Sequence, residues 1–277
     1  MSLASMKELL QAARAENRAV GAFSVSSVEM IDGVIRAAEA AGTPVILQVA
    51  QVRLPWSPLH IIGPAMLQAA RHAKVPVGVH LDHGTTLDCI REALEMGFTS
   101  VMFDGSRLPM EENIARTREV ICMAEKYGAA VEAEIGVVGK TESGQALTAQ
   151  CADPEDAVRF ARETGVDALA VAIGNAHGVY EGTPELRFDV LESMQGRCGD
   201  TAFVLHGGTG ITPEDFRRAI GLGMYKINIA TASFMAVHGA AQGAADYFDM
   251  SARMREAARN VAEEHINIFG IAKEGLA

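Results

Sequence analysis

The sequence predicts an α/β chain, a single-domain (β/α)8 TIM barrel spanning 1–277 with an extra C-terminal helix. Three observations carry that prediction. Short apolar runs alternate with amphipathic segments, eight such units fit along the chain, and 277 residues suit the about 250 typical of such barrels. Near-continuous apolar runs mark parallel strands buried on both faces, and right-handed crossovers let them close. A doubly wound open sheet is the alternative. The first unit has no GxGxxG turn, which weakens a dinucleotide-binding version of it.

Taken in order, Ala19 to Val25 reads as the first strand, with a helix from about Val28 to Ala41. Pro44 to Ala50 is the second, followed by a longer loop and a helix through Arg71. Val75 to Asp82 is the third strand with helix Leu87 to Met96, and Ser100 to Asp104 the fourth with helix Glu111 to Tyr127. The remaining strands are Ala130 to Ile135, Asp167 to Ile173, Ala202 to Leu205 and Tyr225 to Ile229. Asp153-Pro154 and Thr212-Pro213 pair an N-cap with a proline at the first helical position. Ser251 to Ile268 is the extra helix, expected over one barrel end or against another subunit. Met1-Ser2-Leu3 reads as a cloning remnant without structural weight. The glycine-punctuated stretch from Gly136 to Gly144 is a surface loop or a lid.

With 49% hydrophobic and 21% charged residues, the chain has ordinary globular composition and enough apolar mass for a sizeable core. A net charge of −11 without a basic stripe argues against nucleic acid. It leaves room for an anionic small substrate, because backbone amides at helix N-termini can hold a phosphate. Cys89, Cys122, Cys151 and Cys198 have no paired spacing and read as reduced thiols of a cytoplasmic protein. No apolar run reaches membrane-spanning length and no signal peptide is evident, so no membrane partner is expected.

The candidate chemistry collects at strand ends. In Val79-His80-Leu81-Asp82-His83-Gly84, alternation places His80 and Asp82 on one side, and His83 falls at the strand end. His177 and His206 hold matching positions after the sixth and seventh strands. In a barrel these ends converge on the catalytic face, and three imidazoles with open coordination positions describe a catalytic zinc site. Zinc there acts as a Lewis acid on a carbonyl or stabilises an enediolate. His206-Gly207-Gly208-Thr209-Gly210 and Asn228-Ile229-Ala230-Thr231 fall where such barrels bind phosphate. Asp82, Asp104, Glu132 and Glu134 are available carboxylates, for proton transfer or for orienting imidazoles, and composition does not choose among them.

At these residues the chain resembles the class II, zinc-dependent ketose-bisphosphate aldolases, on the tagatose/fructose-bisphosphate branch. The matching stretches are His80-Leu81-Asp82-His83, Asp104-Gly105-Ser106, Val131 to Gly136, Ala172 to Gly178, Leu205 to Gly210 and Lys226 to Thr231. The resemblance implies one Zn2+ per chain on His83, His177 and His206, with Glu134 as an alternative or neighbouring metal partner. It implies that Asp82 exchanges a proton with the aldehyde oxygen, and that Glu142 of the mobile loop moves the carbon-bound proton. Gly178, Gly207, Gly208, Thr209, Asn228, Ala230 and Thr231 are implied to hold a phosphate, with a monovalent cation, Na+ or K+, nearby. The implied reaction is reversible cleavage of a ketose phosphate, such as fructose or tagatose 1,6-bisphosphate or a ketose 1-phosphate, to dihydroxyacetone phosphate and an aldehyde, in a homodimer or homotetramer.

Four departures bear on the distal half of the sugar. Ser24 replaces an asparagine, Lys140 a glycine of the mobile loop, and Gly84 a second histidine, while Gln51 to Ser57 lacks the usual serine–glycine pattern. The aldehyde partner is therefore expected to be other than glyceraldehyde 3-phosphate. A sugar-phosphate epimerase, a non-catalytic sugar-phosphate-binding homologue and a Schiff-base aldolase using Lys226 are the rival readings; the last leaves the three histidines unexplained.

Overall fold

A computed structural model describes residues 2–138, 150–180, 182 and 184–270. Eight parallel strands close into a barrel in sequence order: β1 (Val20–Ser24), β2 (Val45–Ala50), β3 (Val77–Gly84), β4 (Ser100–Phe103), β5 (Ala130–Ile135), β6 (Ala168–Val171), β7 (Ala202–Leu205) and β8 (Met224–Ile229). The open-sheet alternative is excluded, since β1 pairs with both β2 and β8. The described helices are α1 (Met6–Ala15), α2 (Val28–Ala41), α3 (Leu59–His72), α4 (Leu87–Met96), α5 (Met110–Glu125), α6 (Pro154–Thr164), α7 (Phe188–Met194), α8 (Pro213–Gly221), α9 (Thr231–Ala241) and α10 (Tyr247–Phe269). None is long and apolar enough to cross a membrane.

The two proline starts form as the sequence predicts. Asp153 accepts the Glu155 and Asp156 amides, and Thr212 accepts the Asp215 amide, satisfying donors that lack intrahelical partners.

The barrel interior is graded. Its lower layers are small and apolar, with Val20, Ala22, Ile46, Ala130, Ala168, Ala170, Ala202 and Val204 clustered against Met6, Leu9, Leu10 and Ala13 of α1. Those four residues recur at helical spacing, so α1 lays one apolar stripe across the N-terminal mouth. Toward the C-terminal ends of the strands the interior becomes polar: Gln48, His80, Asp82, Glu132, Glu134, Lys226 and Asn228 are all buried. A second apolar cluster fills the space between strands and outer helices.

The N-terminal expectation is corrected. The N-terminal residues are built into the fold: Leu3 bridges to Val77, the Val77 amide donates to the Ser2 carbonyl at 2.6 Å, and the Ser2 hydroxyl donates to the Arg71 carbonyl at 2.7 Å. Unpaired main chain at the start of β3 recruits them. The C-terminal helix runs beside the outer helices. α10 packs alongside α2 and α9, approaching α2 closely enough that a Cβ on Gly33 would lie 2.5 Å from the Arg255 carbonyl oxygen. The run Gly139 to Gly144, with Lys140 and Glu142, lies outside the described residues.

Candidate metal centre and active site

Strand alternation alone points His83 away from His80 and Asp82, toward the outer helices. The backbone overrides it. His83 has φ 44°, in the left-handed region that non-glycine residues rarely adopt, and the β3–β4 register shifts between Leu81 and Gly84. This bulge turns the imidazole inward, a conformation that persists only where the surroundings impose it and that clusters at functional sites.

The re-aimed ring meets the other two. Ring centroids of His83 lie 4.9 Å from His177 and 4.6 Å from His206, and those two rings lie 5.7 Å apart. Each of the three offers a nitrogen within 4.8 Å of the others. The hydrogen bonds fix which nitrogens face inward. His83 donates from Nδ1 to Asp104 Oδ2 at 2.9 Å, and His206 donates from Nε2 to Glu132 Oε1 at 2.9 Å. His83 Nε2, His206 Nδ1 and Glu134 Oε2 are then buried without hydrogen-bond partners. Glu134 Oε2 lies 3.4 Å from His206 Nδ1 and 3.8 Å from His83 Nδ1.

Orphaned buried polar atoms are costly, and here they converge. Imidazole nitrogens whose opposite nitrogens are fixed by carboxylates form the donor set of a catalytic zinc site. The residues present fit a zinc ion.

The electrostatics agree. Burial opposes charge on His83, yet Asp82, Asp104 and Glu134 outweigh it and hold its pKa well above the ordinary 6.5. Burial, reinforced by the surrounding carboxylates Asp104, Glu132 and Asp82, pushes Glu134 well above its ordinary 4.5. At His206 burial and neighbouring His83 act together and push the imidazole's pKa well below the ordinary 6.5. Asp104 is held below the ordinary carboxylate range, because hydrogen bonds from His83 and Ser106 overcome its burial. Nearby carboxylates contribute to both raised values, and a divalent cation beside them would offset that negative charge.

Below the triad runs a buried polar ladder. Lys226 Nζ lies 2.8 Å from Glu132 Oε2 and donates to Asn228 Oδ1 at 2.7 Å. Asn228 Nδ2 and Gln48 Nε2 each donate to Asp82 at 3.2 Å, and Gln48 also reaches Ser24 Oγ. Asp82 is thus fully buried beside the triad. Asn228 spends both ends of its amide inside the barrel. Lys226 sits within β8, paired on both sides rather than standing at a strand end.

The glycine loops lie on the same face. Gly178 follows His177, and Gly207, Gly208 and Thr209 follow His206. The Thr209 hydroxyl accepts the Ala232 amide at 3.0 Å, tying that loop to the first turn of α9, which begins at Thr231 just after Ala230. The described structure brings His83, His177, His206 and Glu134 within reach of one another, with the glycine loops following two of the histidines, while Glu142 lies outside the described residues. Sequence reasoning did not single out Asn175 and Tyr180, and it left Glu132 and Asp104 without roles. Their partners sit on other strands, a relationship no local pattern encodes.

Known proteins place this arrangement. Residues 4–274 match the family described as fructose-bisphosphate aldolase class-II. The 6-phospho-5-dehydro-2-deoxy-D-gluconate aldolase of Bacillus subtilis is 40% identical over 239 residues, covering 85% of this chain and 82% of that one. The fructose-bisphosphate aldolase of Streptococcus pyogenes is 36% identical over 294 residues, covering 99% and 100%. The crystal structure of the YdjI aldolase from Escherichia coli K12 superposes with a TM-score of 0.89 at 34% identity, covering 99% of this chain and 100% of that one. With the barrel, the histidine triad and similarity along nearly its whole length, this chain belongs to the class II fructose-bisphosphate aldolase family.

Proposed function

We propose that this aldolase uses zinc to cleave a ketose phosphate reversibly to dihydroxyacetone phosphate and an aldehyde, acting as a single-domain enzyme in a homodimer or homotetramer. The convergence of His83, His177 and His206, with His83 turned inward on a strained backbone, is the observation that carries this reading.

When bound, zinc supplies a Lewis acid beside the substrate's carbonyl. His83, His177 and His206 would hold it, with Glu134 within reach as an alternative partner. Asp104 and Glu132 fix the outer nitrogens of His83 and His206 and so set ring orientation. Asp82, oriented by Asn228 and Gln48, takes the proton from the hydroxyl that becomes the aldehyde oxygen as the carbon–carbon bond breaks. The electron pair passes to the ketone-derived fragment as an enediolate, and Glu142 returns a proton to its carbon. Gly178, Gly207, Gly208, Thr209, Ala230 and Thr231 form the phosphate cradle, which Asn228 supports through its carbonyl on the Gly208 N–H, and beside which a monovalent cation, Na+ or K+, is accommodated.

The distal half of the substrate is read by Ser24 and the loop from Gln51 to Ser57, where the chain departs from its relatives' usual pattern. The names of those relatives differ in that same half, one being a bisphosphate and another a phosphorylated acid. Together with the departures at Ser24 and Gln51 to Ser57, this supports an aldehyde product other than glyceraldehyde 3-phosphate. The test is a cleavage panel of fructose and tagatose 1,6-bisphosphates, a ketose 1-phosphate and 6-phospho-5-dehydro-2-deoxy-D-gluconate. Dihydroxyacetone phosphate released with an aldehyde supports cleavage over epimerisation. A strong preference for a bisphosphate contradicts the reading of the distal half.

A further inference from the structure

The loop that carries His177 and the loop that carries Gly207 touch so closely that a Cβ on Gly207 would lie 2.1 Å from the Ala176 carbonyl oxygen. Two side chains of the first loop secure the second. Asn175 accepts the Ile173 amide at 2.8 Å and donates to the His206 carbonyl at 2.9 Å. The Tyr180 hydroxyl accepts the Ala176 amide at 2.9 Å and donates to the Gly207 carbonyl at 2.9 Å. Its ring also backs Gly210, where an added Cβ would meet Tyr180 Cδ2 at 3.4 Å.

The Gly207–Gly208 peptide is consequently held at both ends. Its carbonyl faces Tyr180, and its N–H donates to the Asn228 carbonyl at 3.2 Å. A peptide between two glycines rotates at little steric cost, and Gly207 already has φ 66°. Rotation would exchange the two partners, setting the Gly207 carbonyl oxygen against the Asn228 carbonyl and reshaping the loop that forms the cradle. Preorganised dipoles are effective only when they do not reorient at the moment of binding.

We infer that Tyr180 is a positioning residue for the phosphate: its hydroxyl latches the Gly207–Gly208 peptide and couples the cradle to the loop of the metal-binding His177. This rests on the phosphate site proposed above. Because the latch acts on the cradle, its loss weakens phosphorylated ligands and spares unphosphorylated ones.

The test uses the zinc-loaded full chain and two hydroxamates, which chelate a metal through two oxygens as an enediolate does. One carries the phosphate and the other is its dephosphorylated counterpart. Calorimetry gives each affinity for the native protein and for the isosteric Tyr180→Phe variant, with zinc content and melting temperature measured alongside. The expected result is a preference for the phosphorylated ligand in the native protein that falls about tenfold in Tyr180→Phe, a loss consistent with a carbonyl and an amide stripped of their partner. Affinity for the bare hydroxamate and zinc content stay unchanged. An undiminished preference in the variant, or equal losses for both ligands, overturns the role of Tyr180 while the phosphate site stands. A native protein without any preference overturns the phosphate site and the latch together.

Discussion

His206 donates its Nε2 proton to Glu132 across 2.9 Å, and both groups are buried. The bond leaves Nδ1 of His206 aimed at the triad, and Lys226 at 2.8 Å occupies the other Glu132 oxygen. One carboxylate therefore links an imidazole of the proposed metal site to the only lysine inside the barrel among the described residues.

Glu132→Gln keeps the volume but removes charge from that link. Its expected effect is a loss of zinc affinity of about 10- to 100-fold, the usual cost of disturbing the group behind a metal-bound histidine. Competition against a chromogenic chelator measures it, and an unchanged affinity contradicts the role given to Glu132.

Lys226→Met leaves Glu132 buried without its cation. Breaking a buried pair from one side costs about 3–5 kcal/mol, readable by urea unfolding. Borohydride added to native enzyme during turnover should trap no covalent adduct by mass spectrometry, because the paired ammonium is not a Schiff-base nucleophile. A trapped adduct at Lys226 would restore that rival mechanism.

Gly84 closes β3 directly after His83. A Cβ there would lie 2.5 Å from the Met102 carbonyl oxygen and 2.9 Å from Ile90 Cγ1. Gly84→Ala must push β3 from β4 beside the His83 bulge, at a cost of about 1–3 kcal/mol for overpacking. Differential scanning calorimetry should show the destabilisation, and zinc content should fall with it.

The fold was legible because buried parallel strands leave near-continuous apolar runs: β5 and β7, and helices α2 and α4, have the predicted boundaries. The convergence of three histidines was legible only through the barrel, which brings distant strand ends to one face. The inward turn of His83 was not, since alternation points it outward and a bulge depends on pairing with β4. Glu132 and Glu134 look equivalent on one face of β5. They diverge because β7 and β8 deliver His206 and Lys226 to the first, while the second lies among further carboxylates. The N-terminal residues were misread because their partner, Val77, is a strand away and leaves no local pattern.

Stability should also depend on pH through His265, away from the metal centre. Burial beside Phe216 and Phe269 pushes its pKa below the ordinary 6.5, while Nδ1 donates to the Val261 carbonyl at 2.8 Å. Below pH 6.5 the unfolded chain binds a proton that the folded chain does not, so stability falls as pH drops from about 6.5 toward the lower folded value. Urea midpoints between pH 7 and pH 5 should decline for the native chain and decline less for His265→Gln. Equal slopes would remove His265 as the cause.

The most direct measurement is zinc content by mass spectrometry, coupled to release of dihydroxyacetone phosphate from the ketose phosphate panel before and after chelation, with His83→Ala beside the native chain. The predicted result is about one zinc per chain, and aldehyde-forming cleavage that disappears on chelation, returns with zinc and is absent in His83→Ala. Full cleavage by metal-free protein would contradict the assignment of the triad as the catalytic centre.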